Sequence, residues 1–409
     1  MKDCKAMGSL AIWIILILLG SNRPIYAQEI SFSDAIEKIK SHNSLKVFEE
    51  KSLAQKSIVE SGSSLGDSRF KVAAKNFPKN SLQNDQSPMT GMEFAISQKV
   101  AISSKYLHIE DSLEAEAKAA SYKSSDFEMQ LRRYLWQILI EKDRLKKDLQ
   151  ISRENLAWLE NISKVSKKLY SNGKISQQAL LEFEIRKAEI ESTLQRQKIG
   201  LEQLSRKLMY LVKAESISPD SIPWEKLALI DTTKNFKDVK ELSLQQSLKA
   251  KESKLTAVNL DKIPDLDVSI AYTKRYGVDN YGDFVSASIT MPLPTSSTKY
   301  AQAATAYHEK FSAEKAYQDF LDNKEKDKYL LEMEIEKLKF DLKVLDEKTL
   351  KFASSAREIT AKSYALGSAN YTELLQSELK LQSLLKEKNE KEEGLKKMIL
   401  SWKYLMGAL

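Results

Sequence analysis

Residues 165–181, VSKKLYSNGKISQQALL, and residues 359–375, ITAKSYALGSANYTELL, repeat each other at a fixed offset of 194 positions. The offset continues downstream and covers about 40 residues in all, so chance does not explain the match. The ten matched pairs are Lys168 and Lys362, Tyr170 and Tyr364, Gly173 and Gly367, Leu180 and Leu374, Leu181 and Leu375, Glu184 and Glu378, Gly200 and Gly394, Leu201 and Leu395, Tyr210 and Tyr404, and Leu211 and Leu405. The sequence therefore predicts two tandem copies of one unit.

Each copy carries its Tyr-x-x-Gly element inside a long stretch without proline. All eight prolines avoid residues 101–213 and 299–409, and proline costs about 3 kcal/mol in a helix interior. Both stretches are therefore predicted to be helical, and their heptad-like apolar spacing favours coiled-coil packing. Glycine destabilises a helix interior. Each Tyr-x-x-Gly is therefore predicted to be the tip of a helical hairpin, at 170–176 and 364–370.

The composition excludes several classes of protein. The 409 residues are 42% hydrophobic and 30% charged, and such long helices are not those of an ordinary globular enzyme or a disordered chain. The net charge of +7 is spread without a basic cluster, so nucleic acid is not an expected partner. Since Cys4 is the only cysteine and the histidines are scattered, we expect no metal site and no cofactor.

Four short segments between the helices alternate apolar and polar residues with a period of two, as strands do. They form two predicted hairpins, at 69–100 and 265–291. An apolar face opposite a small or polar one is typical of a transmembrane barrel strand, but alternation alone favours the alternative, a soluble sheet with one solvated face. Because lipid does not tolerate open edges, four strands that cross a membrane must be pooled with those of other chains.

The predicted organisation has four parts. Residues 1–27 are typical of a secretory signal peptide, with an uncleaved N-terminal anchor as the alternative. Residues 28–213 form the first repeat, residues 214–235 a linker, and residues 236–409 the second repeat. Each repeat is predicted to hold a helix, a β-hairpin and a long helical hairpin, in that order.

The signal peptide, the tandem repeat, the strand hairpins and the paired Tyr-x-x-Gly-x(6)-Leu-Leu elements together resemble the TolC family of outer-membrane efflux proteins. Residues 263–266, IPDL, and 289–294, ITMPLP, are similar to the same family. The resemblance implies a mainly α fold with a small membrane β part, in which four strands per chain contribute to a trimeric twelve-stranded barrel. The short chain and residues 91–98, GMEFAISQ, look closest to the heavy-metal-efflux branch.

The resemblance also implies a function and a set of partners. The chain would be a homotrimer in outer-membrane lipid, docked to a periplasmic adaptor protein and an inner-membrane pump that is proton-driven. The trimer would conduct small toxic substrates, such as metal ions or drugs, to the outside. No enzymatic step is implied.

Carried over to this chain, the resemblance places the adaptor contacts at the helix tips and a periplasmic gate just past the second tip. The adaptor-contacting residues are Tyr170, Gly173, Lys174, Tyr364, Gly367 and Ser368, and the gate residues are Glu373 and Gln376. Since only Glu373 carries a carboxylate, a strong two-tier acidic gate is not expected. A purely structural role is the alternative, because the glycines suit helix ends and Glu373 suits a helix N-terminus.

Two other functions stay open at the level of sequence. The outer-membrane component of a type I protein secretion system would have the same architecture. A periplasmic coiled-coil adaptor or structural protein without a pore would also carry long hairpins, although typically one hairpin in a β-rich body rather than two in tandem. No phosphate-binding loop or nucleophile motif points to an exported enzyme.

Overall fold

The computed structural model describes residues 29–230, 236–276, 282–295 and 297–409. The predicted signal peptide at 1–27 lies outside these residues. The helices are α1 (Phe32–Lys40), α2 (Asn43–Gly62), α3 (Lys105–Ser171), α4 (Gln177–Val212), α5 (Trp224–Ala228), α6 (Val239–Leu260), α7 (Thr298–Val344), α8 (Leu350–Leu366) and α9 (Tyr371–Leu405). The strands are β1 (Glu29–Ile30), β2 (Arg69–Lys75), β3 (Gly91–Val100), β4 (Ser216–Ile217), β5 (Leu266–Arg275) and β6 (Phe284–Thr290).

These elements fall into two compact units. The first, called the tip unit below, comprises residues 29–42, 131–230 and 332–401. The second, the sheet unit, comprises residues 43–130, 402–409 and the described part of 233–331. Among the described residues, no helix combines the length and the apolar character needed to cross a membrane.

The sheet unit contains the four predicted strands in one antiparallel sheet, in the order β2-β3-β5-β6. The register places Phe94 opposite both Val72 and Tyr272, so the apolar side chains of neighbouring strands share one face. All three of these side chains are exposed, whereas Glu93 and Ala95 on the opposite face are buried. The inner strands β3 and β5 thus expose their apolar face and bury much of their polar face, the reverse of a soluble antiparallel sheet, whereas the outer strands β2 and β6 are exposed on both faces.

The helices of the sheet unit pack closely through small and aromatic side chains. Phe48 of α2 stacks on Phe127 of α3 with ring centroids 4.4 Å apart. Between α3 and α6, the Ser112 hydroxyl donates to the carbonyl of Ala250 at 2.8 Å. Because serine reaches a neighbouring backbone only at short range, α3 and α6 approach closely here.

The tip unit is held together by an apolar seam along α3, α4, α8 and α9. Its buried members are Leu149, Leu159, Leu169, Phe183, Ile190, Leu194, Tyr364 and Leu374. Ion pairs flank the seam, such as Lys147 with Glu392 at 2.6 Å and Lys396 with Asp143 at 2.7 Å. Because partly exposed ion pairs contribute about 0–1 kcal/mol each, the apolar seam carries most of the packing energy.

The helices that lead to the second tip, α7 and α8, hold one residue more before the tip than their equivalent α3 does. Upstream of the tips, residues 141–151, EKDRLKKDLQI, match residues 334–344, EIEKLKFDLKV, at an offset of 193 rather than 194. The change of offset falls beside Leu345–Thr349, a five-residue π-helical turn between α7 and α8. The first arm is α-helical throughout α3.

The leucines that pack on Gly200 and Gly394 show the same two offsets. A Cβ atom on Gly200 would lie 2.8 Å from Leu145, and one on Gly394 would lie 3.7 Å from Leu338. The leucines are therefore equivalent at an offset of 193 and the glycines at 194. One extra residue rotates a regular helix by about 100°, and a π turn absorbs that rotation because it holds more residues per turn.

Deleting Lys348 from the π turn should leave the protein folded. The five-residue turn then closes as ordinary α-helix and the flanking helices keep their contacts, so the melting temperature should stay the same or rise. Deleting Arg153, from the regular helix α3, should instead rotate the following residues by about 100°. The apolar side chains of α3 would then lose their contacts in the seam. Thermal unfolding of both variants by circular dichroism compares the two; equal destabilisation would contradict this role of the π turn.

Candidate functional site

The first tip reverses the chain between α3 and α4 through a left-handed glycine. Gly173 has φ of +70°, a conformation that costs side-chain-bearing residues energy. The Gly173 amide donates to the carbonyl of Tyr170 at 2.9 Å, and the Lys174 amide donates to that of Leu169 at 2.9 Å. These bonds satisfy carbonyls that the helix end would leave unpaired. Ser176 then caps α4 by accepting the Ala179 amide at 3.3 Å.

The second tip uses the same device between α8 and α9. Gly367 has φ of +80° and its amide donates to the carbonyl of Tyr364 at 3.0 Å. The amide of Ser368 donates to the carbonyl of Ser363 at 2.9 Å, and the Ser368 hydroxyl bonds the same oxygen at 3.0 Å. Both predicted tip glycines therefore lie at sharp reversals, where a Cβ atom would strain the turn.

The two tip tyrosines are equivalent in sequence but not in surroundings. Tyr364 is 1% exposed and lies edge-on to Phe183, whereas Tyr170 is 43% exposed. The Ser166 hydroxyl donates to the carbonyl of Ile162, so it accepts the Tyr364 hydroxyl at 2.9 Å. Burial raises the pKa of the Tyr364 phenol. The Tyr364 side chain thus joins the two hairpins and presents almost no surface to a partner.

Glu373 lies in the first turn of α9, where it takes part in the helix cap. Its amide donates to the Asn370 side-chain oxygen at 2.8 Å, and the Asn370 amide group donates back to the Glu373 carboxylate at 3.3 Å. A carboxylate in this position also interacts favourably with the helix dipole. Glu373 and Gln376 are both exposed, so their side chains remain available for contacts beyond this chain.

The two tips enclose an open groove of about 580 Å³. Lys174 and Ser176 line it from the first tip, and Gly367, Ser368 and Glu373 line it from the second. The groove therefore carries one cationic and one anionic side chain on opposite walls. Five of the eight residues predicted for contact or gating line it: Lys174, Tyr364, Gly367, Ser368 and Glu373.

A polar cluster near the tips escaped prediction. The Arg357 guanidinium lies 5.0 Å from the ring centre of Trp158 and donates to Glu378 at 2.7 Å. Gln382 also donates to Glu378, at 2.8 Å, and accepts from Arg186 at 3.2 Å. Only Glu378 stood out in the sequence, as a match to Glu184, because partners so far apart along the chain leave no local pattern.

The described residues contain no group of three or more His, Cys, Asp or Glu side chains that could hold a metal ion. The tips instead provide hydrogen-bond donors, hydroxyl groups and a pair of opposite charges on backbone turns. Such a surface suits contact with another protein.

The fold is that of the TolC-like outer-membrane channels. CusC, studied for transmembrane channel formation, matches with a TM-score of 0.78 at 12% identity over 94% of this chain and 96% of that one. VceC, an outer membrane protein from Vibrio cholerae, matches at 0.75 and 15% identity over 91% and 95% of the two chains. The CmeC outer membrane channel of Campylobacter jejuni matches at 0.74 and 14% over 92% and 85%. No protein-family model and no curated protein matches the sequence.

Removing the Tyr364 hydroxyl should destabilise the tip unit measurably. Tyr364→Phe loses a buried hydrogen bond worth about 1 kcal/mol, whereas Tyr170→Phe at the exposed equivalent should change nothing. The free energy of unfolding in detergent checks this. Because burial raises the pKa above the ordinary 10.0, the advantage of wild type over Tyr364→Phe is full below pH 10 and is lost as pH rises further. Equal effects at both tyrosines would contradict the asymmetry.

Proposed function

We propose that this chain is one subunit of a homotrimeric outer-membrane channel of the TolC family. The channel serves as the exit duct of a tripartite efflux system and carries small toxic solutes out of a Gram-negative cell. The observation that carries the proposal is the sheet with an exposed apolar face and two open edges. Such a sheet is stable only in lipid and only when other strands pair with it.

The strand order shows that the two outer strands of the sheet each lack a pairing partner on one side in the described residues. In the described residues, β2 pairs only with β3 and β6 pairs only with β5. Each outer edge therefore presents unpaired backbone groups, which cost several kcal/mol each in hydrocarbon. Three chains of four strands each supply twelve strands, enough to close a barrel and remove every edge.

A second unpaired surface lies on the helices. Phe352, Ile359 and Leu366 follow each other at steps of seven along α8 and are between 65% and 80% exposed. A heptad step of apolar residues is the pattern of a coiled-coil seam. These three exposed side chains, called the exposed seam below, are not covered by apolar residues of the tip unit. They therefore support packing against another chain.

A further exposed apolar surface lies on the other hairpin. Leu181 and Ile185 are exposed on α4. Because the two exposed surfaces differ, contact between them joins chains head to tail, and such contacts form a ring when the rotation between neighbouring chains closes. The proposed trimer is this ring, with the helices of the three chains surrounding a water-filled tunnel.

The tips give the duct its docking surface and its gate. We assign contact with a periplasmic adaptor protein to Tyr170, Gly173, Lys174, Gly367 and Ser368, which are exposed at the two turns. The adaptor in turn connects the duct to a proton-driven inner-membrane pump. Three copies of Glu373 form one acidic ring at the periplasmic entrance, which Gln376 does not reinforce.

Secretion of a protein by a type I system is the second candidate function, because the same duct architecture serves it. An adaptor or structural protein without a pore is disfavoured by the sheet, since such a protein has no use for an exposed apolar sheet face. The likeness to channel structures over more than nine tenths of this chain also supports a duct.

Membrane fractionation and electrophysiology test the duct itself. The protein should sediment with the outer membrane, migrate as a heat-labile trimer and form ion-conducting pores in planar bilayers. A strain lacking the gene should become sensitive to several metals or drugs. A soluble monomer without conductance would overturn the proposal, and loss of secretion of a single protein would favour the type I system.

Replacing the exposed seam should abolish the trimer. Phe352→Gln with Ile359→Gln removes two apolar contacts at the proposed boundary between chains, so the unheated protein should migrate as a monomer with unchanged helicity. Lys351→Gln with Glu358→Gln, at the same spacing one position earlier, is the matched control and should remain trimeric. A trimer in both variants would contradict the assigned interface.

A further inference from the structure

Four polar side chains lie at the contact between α3 and α9, inside the tip unit. Asp148 of α3 and Asn389 of α9 are only 5% and 7% exposed, and Arg144 and Glu393 lie one turn further from the tips on the same helices. The Asn389 amide group donates to the Asp148 carboxylate at 2.8 Å. The Arg144 guanidinium pairs with Asp148 at 2.6 Å and with Glu393 at 2.5 Å. These four residues are called the α3–α9 network below.

The stability of the tip unit does not require the α3–α9 network. Taking charged groups out of water is unfavourable, and well-packed apolar residues in place of a buried ion pair are often neutral or stabilising. A buried carboxylate and a buried amide beside the apolar seam therefore call for another explanation. In coiled coils, buried polar residues fix the alignment of the helices at some loss of stability.

The apolar seam by itself leaves the alignment of α3 and α9 open. Its leucines recur at steps of ten residues on both helices, at Leu149, Leu159 and Leu169 of α3 and at Leu374 and Leu384 of α9. Because one leucine packs much like another, a shift of α9 along α3 by such a step still places leucine against leucine. Sequences that pack through repeated apolar contacts need a separate device against such shifts.

The α3–α9 network supplies this device, because its polar partners do not recur. A shift of α9 by ten residues would put Leu379 or Ile399 in the place of Asn389. Neither side chain has a hydrogen-bond donor for the Asp148 carboxylate. A buried charge that loses its partner is strongly destabilising, so the network disfavours the alignments that the leucines tolerate.

An alignment set at the network extends to the tips. The residues from the network to the tips belong to continuous α-helices, α3 and α9. Asn389 lies 18 residues after Tyr371, the first residue of α9, which is roughly 27 Å at 1.5 Å per residue. Because a helix is stiff over this length, sliding one hairpin at the network would displace its tip by the same distance.

We propose that the α3–α9 network positions the two tips relative to each other, so that they form one docking surface. Lys174 and Glu373 line opposite walls of one groove in this alignment. The hydrogen bond between Tyr364 and Ser166 requires the same alignment. The four residues of the network are thus positioning residues that act without touching a partner. The inference rests on the proposed function of the tips in docking.

Spin labels at the two tips test the alignment. Asn172→Cys and Ala365→Cys place labels at exposed positions of the first and second tip. The only native cysteine, Cys4, lies in the predicted signal peptide, so labelling is specific. In the purified protein, with labelled chains diluted by unlabelled ones, double electron–electron resonance should give a single distance between the labels.

An apolar version of the network should add a second distance between the tips. The substitutions are Arg144→Met, Asp148→Leu, Asn389→Leu and Glu393→Met. The second distance should differ from the first by at least the rise of one helical turn, roughly 5 Å. The melting temperature should stay the same or rise, which separates a loss of alignment from a loss of stability.

The matched control removes four charges from the same part of both helices and leaves the network intact. It neutralises two partly exposed ion pairs through Asp143→Asn, Lys147→Gln, Glu392→Gln and Lys396→Gln, and should keep the single distance. If the apolar variant does not fold, Asp148→Leu with Asn389→Leu keeps the pair of Arg144 with Glu393. This milder variant should show the second distance in a smaller fraction of molecules.

Each result has a distinct meaning. A single, unchanged distance in the folded apolar variant overturns the inference. In a strain lacking the gene, the apolar variant should reach the outer membrane without restoring resistance; full resistance despite a second distance overturns the link between alignment and docking. A wild-type protein without conductance overturns the proposed function instead, and the distances between the labels still decide the alignment.

Discussion

The fold depends on two left-handed turns. A helix as long as α3 cannot bury its own apolar stripe, and the stripe becomes a core only when the chain turns back beside it. Gly173 and Gly367 allow that reversal within a few residues. Every later feature, including the seam around Tyr364, the groove between the tips and the cap at Asn370, is positioned by these two turns.

The repeated sequence does not produce repeated surroundings. Tyr364 occupies a closed site made by Phe183 and Ser166, and its equivalent Tyr170 lies open. Within one chain, the tyrosine of the second tip is packed, whereas the equivalent tyrosine of the first tip is exposed. The sheet has the same property, because its inner strands are paired on both sides and its outer strands on one side only. Both observations agree with the proposed assembly of several chains.

Much of the architecture could be predicted because its signals are local. Period-two alternation located all four strands of the main sheet, and glycine within a helical stretch located both tips. The contacts between hairpins could not be predicted in this way. Ser166 meets Tyr364 across 198 residues, and nothing near Ser166 in the sequence marks it as a partner. The stacking of Arg357 on Trp158 was missed for the same reason, since it depends on how helices pack.

The π turn at Leu345–Thr349 records part of the history of the chain. If both halves descend from one duplicated gene segment, the stretches that lead to the two tips differ by a single codon, gained in one half or lost in the other. In most helices such a change would rotate every later side chain away from its packing partners. Here the disturbance stops within five residues, so the duplicate could diverge in length while the packing of Leu338 on Gly394 survived.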